Sequence, residues 1–298
     1  YINSHQLIVG LILIYLSIFI AQPNIIAPPI TNLKTGPPII PFLFVTIACG
    51  AISGFHGLVS SGTTSKQLNK IKDARIIGYG ATLGEGLLAL AATIAAVAGV
   101  SFIESSGCLP WSCDFKSASG SALIIFINGS SGLLQQIGLS ESISITLIVV
   151  LIVSFAATTL DSATRIQRYI ITEFGTAVNI NFLKNKYIAT MTSVIPAYII
   201  ATNDSLRNEL WQTFGASNQM LAALTLMIIS IYFWNKGKNI LPFVIPMIIV
   251  MIIAIWALII KFNQSSTFLL KFINGTLIIL ILWMIIEGFI HIRKKIND

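Results

Sequence analysis

Eight stretches of this chain are almost wholly apolar. Each runs close to the roughly 20 residues that a helix needs to cross a lipid hydrocarbon core. They fall near 7–22, 39–60, 80–100, 142–160, 187–202, 211–234, 241–260 and 272–290. What remains is too little polar sequence to wrap a water-soluble core: charged residues make up 10% of the 298, against about a quarter in soluble domains. The pattern predicts an all-α polytopic membrane protein, a single membrane domain over 1–298. Residues 101–141 form a long loop between two spans.

A net charge of +7 would suit a nucleic-acid partner, but the positions of the charges do not. Lys66–Arg75, Arg165–Lys186, Lys236 with Lys238, and Arg293–Lys295 hold thirteen of the eighteen basic residues. The alternate loops hold Lys34, Lys116, Arg207, Lys261 and Lys271. Cytoplasmic loops of membrane proteins collect Lys and Arg. The first set is therefore expected inside and the 101–141 loop outside, with both termini cytoplasmic. The partner implied is the lipid bilayer. No charged n-region precedes the first span, and the chain, opening on Tyr1, reads as part of a longer protein. Of three cysteines, Cys49 sits in a span as a small packing residue. Cys108 and Cys113 fall in the outside loop, where oxidising conditions permit a disulfide. Two free thiols are the alternative.

The spans are interrupted at defined places. ACGAISGFHGLVSSGTTSKQL, from Ala48 to Leu68, dissolves into Gly50, Gly54, Gly57 and Gly62, with Ser53, Ser60, Ser61, Thr63 and Thr64 among them. His56 is the only histidine expected inside a span. Freed backbone groups survive at membrane depth only under protein or in a water-filled cavity. A helix broken in this way is a common means of holding a solute near the midplane of a secondary transporter. The plainer reading is a tightly packed helix and a capped turn. In GYGATLGEGLLALAA, Gly80 and Gly84 allow a close helix approach. Glu85 is expected about 6 residues, or roughly 9 Å, inside its helix, either functional or reaching the cytoplasmic interface. Thr158, Thr159 and Asp161 set oxygens at the inner end of the fourth span, suited to a sodium ion or a proton-carrying carboxylate. An Asp161–Arg165 anchor is the alternative. Asn218 and Gln219 are neighbouring amides in a membrane helix, which bond another helix or touch a polar solute. Residues 121–140 are too short and too Gly-broken to span. They read as a re-entrant or interfacial helix, or as a lid.

Other chemistry finds no support. SSGTTSK lacks the Gly-Lys-Ser/Thr ending of a phosphate loop. Ser60 and Ser61 beside His56 lack the G-x-S-x-G turn of a serine hydrolase. No Cys/His pair has metal-ligand spacing. Neither an enzyme, nor a cofactor, nor a metal is expected.

Four blocks, GPPIIPFLFVTIACGAISGFHGLVSSGTTSKQL, DARIIGYGATLGEGLLAL, SFAATTLDSATRIQRYIITEFG and LWQTFGASNQMLAAL, occur in this order between Gly36 and Leu224. With them the chain resembles the carbon starvation protein A (CstA) family. The resemblance implies a multi-pass bacterial inner-membrane transporter that imports peptides or pyruvate in response to starvation. Its fold would be similar to the amino acid–polyamine–organocation superfamily, with inverted repeats and a broken helix. The family-matching polar positions are Ser53, His56, Ser60, Ser61, Thr63, Glu85, Thr158, Thr159, Asp161, Asn218 and Gln219. The family's N-terminal block, with a Gly/Pro-rich helix and a His-Asp-Phe element, is not in this sequence. The missing N-terminal half of the same protein is therefore an expected partner.

The expectation is alternating-access symport of a small anionic or zwitterionic nutrient with H+ or Na+. Substrate would meet Gly50, Ser53, Gly54, His56, Ser60, Ser61, Thr63, Asn218 and Gln219, with backbone N–H groups at the break facing its carboxylate. Glu85, Thr158, Thr159 and Asp161 would serve the coupling ion. The alternative is a non-transporting membrane sensor or assembly subunit of a starvation response.

Overall fold

The computed structural model describes residues 2–29, 39–103, 109, 111–265 and 267–297. The Cys108–Cys113 pairing lies outside these residues, because Cys108 does, as does most of the proline-rich loop before the second span. In chain order the α-helices are α1 Ile2–Ala21, α2 Phe44–Ala51, α3 Gly54–Val59, α4 Ser65–Gln67, α5 Asp73–Val97, α6 Phe115–Gly120, α7 Ala122–Gln135, α8 Glu141–Ala177, α9 Lys186–Ala201, α10 Asp204–Asn235, α11 Leu241–Gln264 and α12 Phe268–Asn297. Among the described residues every regular element is helical, and seven helical segments are long and apolar enough to cross a membrane.

The fifth apolar stretch forms α9 and continues through Pro196. Its 16 residues extend only about 24 Å, short of a hydrocarbon core of about 30 Å. Two other helices exceed their apolar windows. α5 opens at Asp73, seven residues before the expected start, with an acidic residue in its first turn, where it suits the helix dipole. Glu85 therefore lies twelve residues into its helix, roughly 18 Å along the axis, and not the six expected. α8 runs 37 residues, because the polar stretch after Asp161 keeps helix-forming residues to Phe174.

The chain divides into two compact units, residues 1–36 with 68–163 and residues 37–67 with 164–298. In the first, one residue from each of four helices meets in a core: Ile14 of α1, Ala91 of α5, Leu134 of α7 and Ile148 of α8. Tyr15 Oη donates to the Leu87 carbonyl at 2.7 Å. Residues 121–140 fold largely as α7 within this unit. Its stretch Gly129–Leu134 is buried, packed backbone to backbone. A Cβ on Gly129 would fall on the Ala95 carbonyl, and one on Gly99 on the Gly129 carbonyl.

In the second unit α10 is the central helix. Buried residues make up 44% of its apolar window, against 22% or less in the other spans. Val45 of α2 packs with Ala216 of α10 and with Ala257 and Leu258 of α11. Met220 and Leu224 pack with Ile281 of α12. Phe233 stacks on Phe243 at 5.0 Å across the α10–α11 turn, where Gly237 takes the left-handed φ of +64° that glycine adopts without strain.

Candidate functional site: a helix broken against a central helix

The second span is not a continuous rod. α2 ends at Ala51, Ile52 leaves the helical region (φ −132°, ψ 88°), and Ser53 is extended (φ −103°, ψ 127°). α3 then restarts at Gly54. The interruption is narrower than the Gly50–Gly62 run: beyond Ser53 the chain is helical again, with a π-helical turn over Ser60–Thr64.

Asn218 of α10 holds the break. Its Oδ1 accepts the Phe55 backbone N–H at 2.8 Å. Its Nδ2 donates to Cys49 Sγ at 3.0 Å and to Ser53 Oγ at 3.2 Å. Ser53 caps α3, its Oγ accepting the His56 N–H at 3.4 Å. One carboxamide, 2% exposed, thus meets the last turn of α2, the linking residue and the first turn of α3. This is the protein cover that a broken helix needs in lipid. Of the two readings of Asn218 in the sequence, bonding to another helix is the one seen.

Glycines let α10 come this close. A Cβ on Gly54 would strike Leu221 Cβ and the Asn218 carbonyl, and would lie 2.6 Å from Ala222 N. One on Gly57 would lie 2.7 Å from Thr225 Oγ1. Gly50 has no such neighbour within 4 Å.

Past the break three polar side chains are outward and Thr63 and Thr64 are half-buried. His56, Ser60 and Ser61 are exposed. The hydroxyls of Ser60 and Ser61 donate to the Gly57 carbonyl, at 3.0 and 2.9 Å, and Thr63 to Val59 at 2.8 Å. With their protons held by the backbone, these hydroxyls keep free lone pairs. Gln219 is different. It is fully buried, and neither amide atom has a hydrogen-bond partner among the described residues. A buried amide left unmatched costs about 1–3 kcal/mol. Gln219→Leu is therefore expected to raise the stability of the protein in mixed micelles by about 1–2 kcal/mol, read as a later midpoint in SDS titration. A loss of stability would show that the amide is already satisfied.

The remaining sequence candidates belong to the first unit. Glu85, Thr159 and Asp161 are exposed. Thr158 donates to the Phe155 carbonyl at 2.8 Å and lines a cleft of about 250 Å³ with Asn3, Ser4 and Ser154, walled by Leu7 and Leu151. α1 contributes Asn3 and Ser4 to this cleft. Asn3, Ser4 and Gln6 precede the apolar window that marks the first span, and only their polarity within a helix-forming stretch signals them.

Membrane-length helices, one of them broken and gripped by a buried amide, define an all-helical polytopic membrane protein. The chain belongs to the carbon starvation protein CstA family, whose profile matches residues 1–106 and 114–257. It is 29% identical to the peptide transporter CstA of Bacillus subtilis (strain 168) over 286 residues, 83% of this chain and 47% of that protein. It is 28% identical to the peptide transporter CstA of Helicobacter pylori (strain ATCC 700392 / 26695) over 309 aligned residues, 86% of this chain and 45% of that protein. The pyruvate/proton symporter BtsT of Escherichia coli (strain K12) is 50% identical over 95 residues, 30% of this chain and 13% of that protein. The chain thus spans just under half the length of the first two relatives. No solved structure matches it.

Proposed function

We propose that this chain forms part of a secondary active transporter that imports a small nutrient, a peptide or pyruvate, across the bacterial inner membrane by proton or sodium symport. The observation that carries the reading is the break at Ile52–Ser53, held by Asn218 in a chain of the CstA family. Relatives named as peptide transporters and a pyruvate/proton symporter support it. An interrupted span with hydroxyl lone pairs beside it suits the donor groups of a solute, an ammonium or a peptide N–H, while the exposed His56 imidazole can donate to a carboxylate. In this proposal Gly50, Ser53, Gly54, His56, Ser60, Ser61, Thr63, Asn218 and Gln219 form or shape the substrate path. Glu85 or Asp161 carries the coupling proton, since an ionisable group within a span marks a relay or ion path by default. The N-terminal half found in the longer relatives completes an inverted-repeat fold of the amino acid–polyamine–organocation type. Both termini of this chain face the cytoplasm, following the basic loops.

The test is accumulation of labelled pyruvate and of a labelled dipeptide by cells expressing the protein from its native gene, with and without an imposed pH gradient. Accumulation of one of them is expected, and Glu85→Gln or Asp161→Asn is expected to lower its pH-driven part by about tenfold or more, the scale lost with one proton-transfer group. Accumulation of neither solute would overturn the transport reading. Unchanged pH-driven uptake in both variants would remove the coupling role.

A further inference from the structure

We infer that the cleft between α1 and α8 is a binding site for a monovalent metal cation, sodium, built from the oxygens of Asn3, Ser4, Ser154 and Thr158. The inference adds a sodium site to the transporter proposed above, beside the proton route through Glu85 or Asp161, and rests on that reading for its purpose, while the binding is measurable without any flux.

The argument starts from how the two helices meet. α1 and α8 run antiparallel: Ile14 packs with Ile148, the place of a Gly10 Cβ is taken by the Leu151 side chain, and Gln6 meets Ser154. The contact is apolar for two turns and then changes character. Ser154 Oγ donates to Gln6 Oε1 at 2.7 Å, and Thr158, one turn further along α8, donates to the Phe155 carbonyl at 2.8 Å. Both hydroxyl protons are used, so both oxygens face a bound species with lone pairs only. They are four residues apart and share one helix face. Asn3 and Ser4, both exposed, line the α1 side of the same cleft.

The chemistry of this lining selects the ligand class. Hard cations take oxygen donors, and the Ser154 and Thr158 hydroxyl oxygens offer lone pairs of that kind. The lining carries no carboxylate, the ligand that divalent ions favour. It also carries no formal positive charge to attract an anion. Four neutral oxygens completed by water fit a singly charged ion. The cleft, about 250 Å³, has room for the ion and several waters, each occupying about 30 Å³.

The experiment uses the purified protein in detergent micelles at constant ionic strength, with choline chloride replaced stepwise by NaCl, KCl or MgCl2. Thermal unfolding is followed by tryptophan fluorescence, and retention of radioactive sodium is measured in parallel. A saturable rise in Tm with NaCl is expected, together with sodium retention. Thr158→Val and Ser154→Ala are expected to raise the half-saturating sodium concentration at least tenfold, and Thr158→Ser to leave it within about threefold. Asn3→Leu makes the same test from α1 should the α8 variants fail to fold. Absence of a sodium-specific rise, a shift of equal size with KCl, or a half-saturation unmoved in all the variants would overturn the site. Sodium binding without nutrient uptake would sink the transport proposal alone. Uptake without sodium binding would sink this inference alone.

Discussion

Asn218→Leu is expected to destabilise the protein by about 3 kcal/mol and to abolish uptake. The leucine matches the volume but leaves the Phe55 N–H without its 2.8 Å acceptor and takes a donor from Cys49 and Ser53. At a helix break the Phe55 N–H has no intrahelical partner. An unsatisfied backbone group at membrane depth costs several kcal/mol, of which solvent or rearrangement recovers part. The neighbouring Ser217 provides the control. Its hydroxyl donates only to the Phe214 carbonyl of its own helix, at 3.0 Å, so Ser217→Ala should change stability by less than about 0.5 kcal/mol. The midpoint of SDS-induced unfolding in mixed micelles measures both. Equal effects at the two positions would show that Asn218 does not hold the break.

Gly54→Val should cost more still, roughly 3–5 kcal/mol, and should shift α3 away from α10. Two of the three atoms that a Cβ would meet are α10 backbone, the Asn218 carbonyl oxygen and the Ala222 nitrogen. Neither can rotate out of the way, so the helices themselves must part. Gly50→Ala makes the opposite case four residues earlier. It lies in α2 with no atom within 4 Å of the added methyl, and a helical Gly→Ala exchange gains about 0.5–1 kcal/mol. The same unfolding titration separates the two. A Gly54→Val protein as stable as the parent would mean that the close approach of α3 and α10 is not required.

These glycines also show where reading the sequence stops. Gly50, Gly54, Gly57 and Gly62 look alike in the run from Ala48 to Leu68, and composition locates the disturbance correctly. Which glycine faces α10 depends on the break falling at Ile52–Ser53, and that is set by a side chain 165 residues away in sequence. Asn218 was legible as a polar residue that must be satisfied. Its partner Cys49 reads in the sequence as a packing residue, because a thiol gives no signal of accepting a bond. Hydropathy found the spans but not their ends. α5 begins at Asp73 and α8 continues to Ala177, because a helix continues into water where its residues permit, whereas a hydropathy window stops at the first charges. The same limit hid Asn3, Ser4 and Gln6, polar residues of a helix whose apolar part begins at Leu7. α7 was too short and too rich in glycine to classify. Its glycines are there for contact with the end of α5, a long-range fact that residue type alone does not encode.

The single amide between α2 and α3 has a mechanical corollary. Because the same side chain grips a thiol on one stub and a peptide N–H on the other, the two short helices form one lever with its fulcrum on α10. A tilt of either stub strains the carboxamide, and the other must follow or let go.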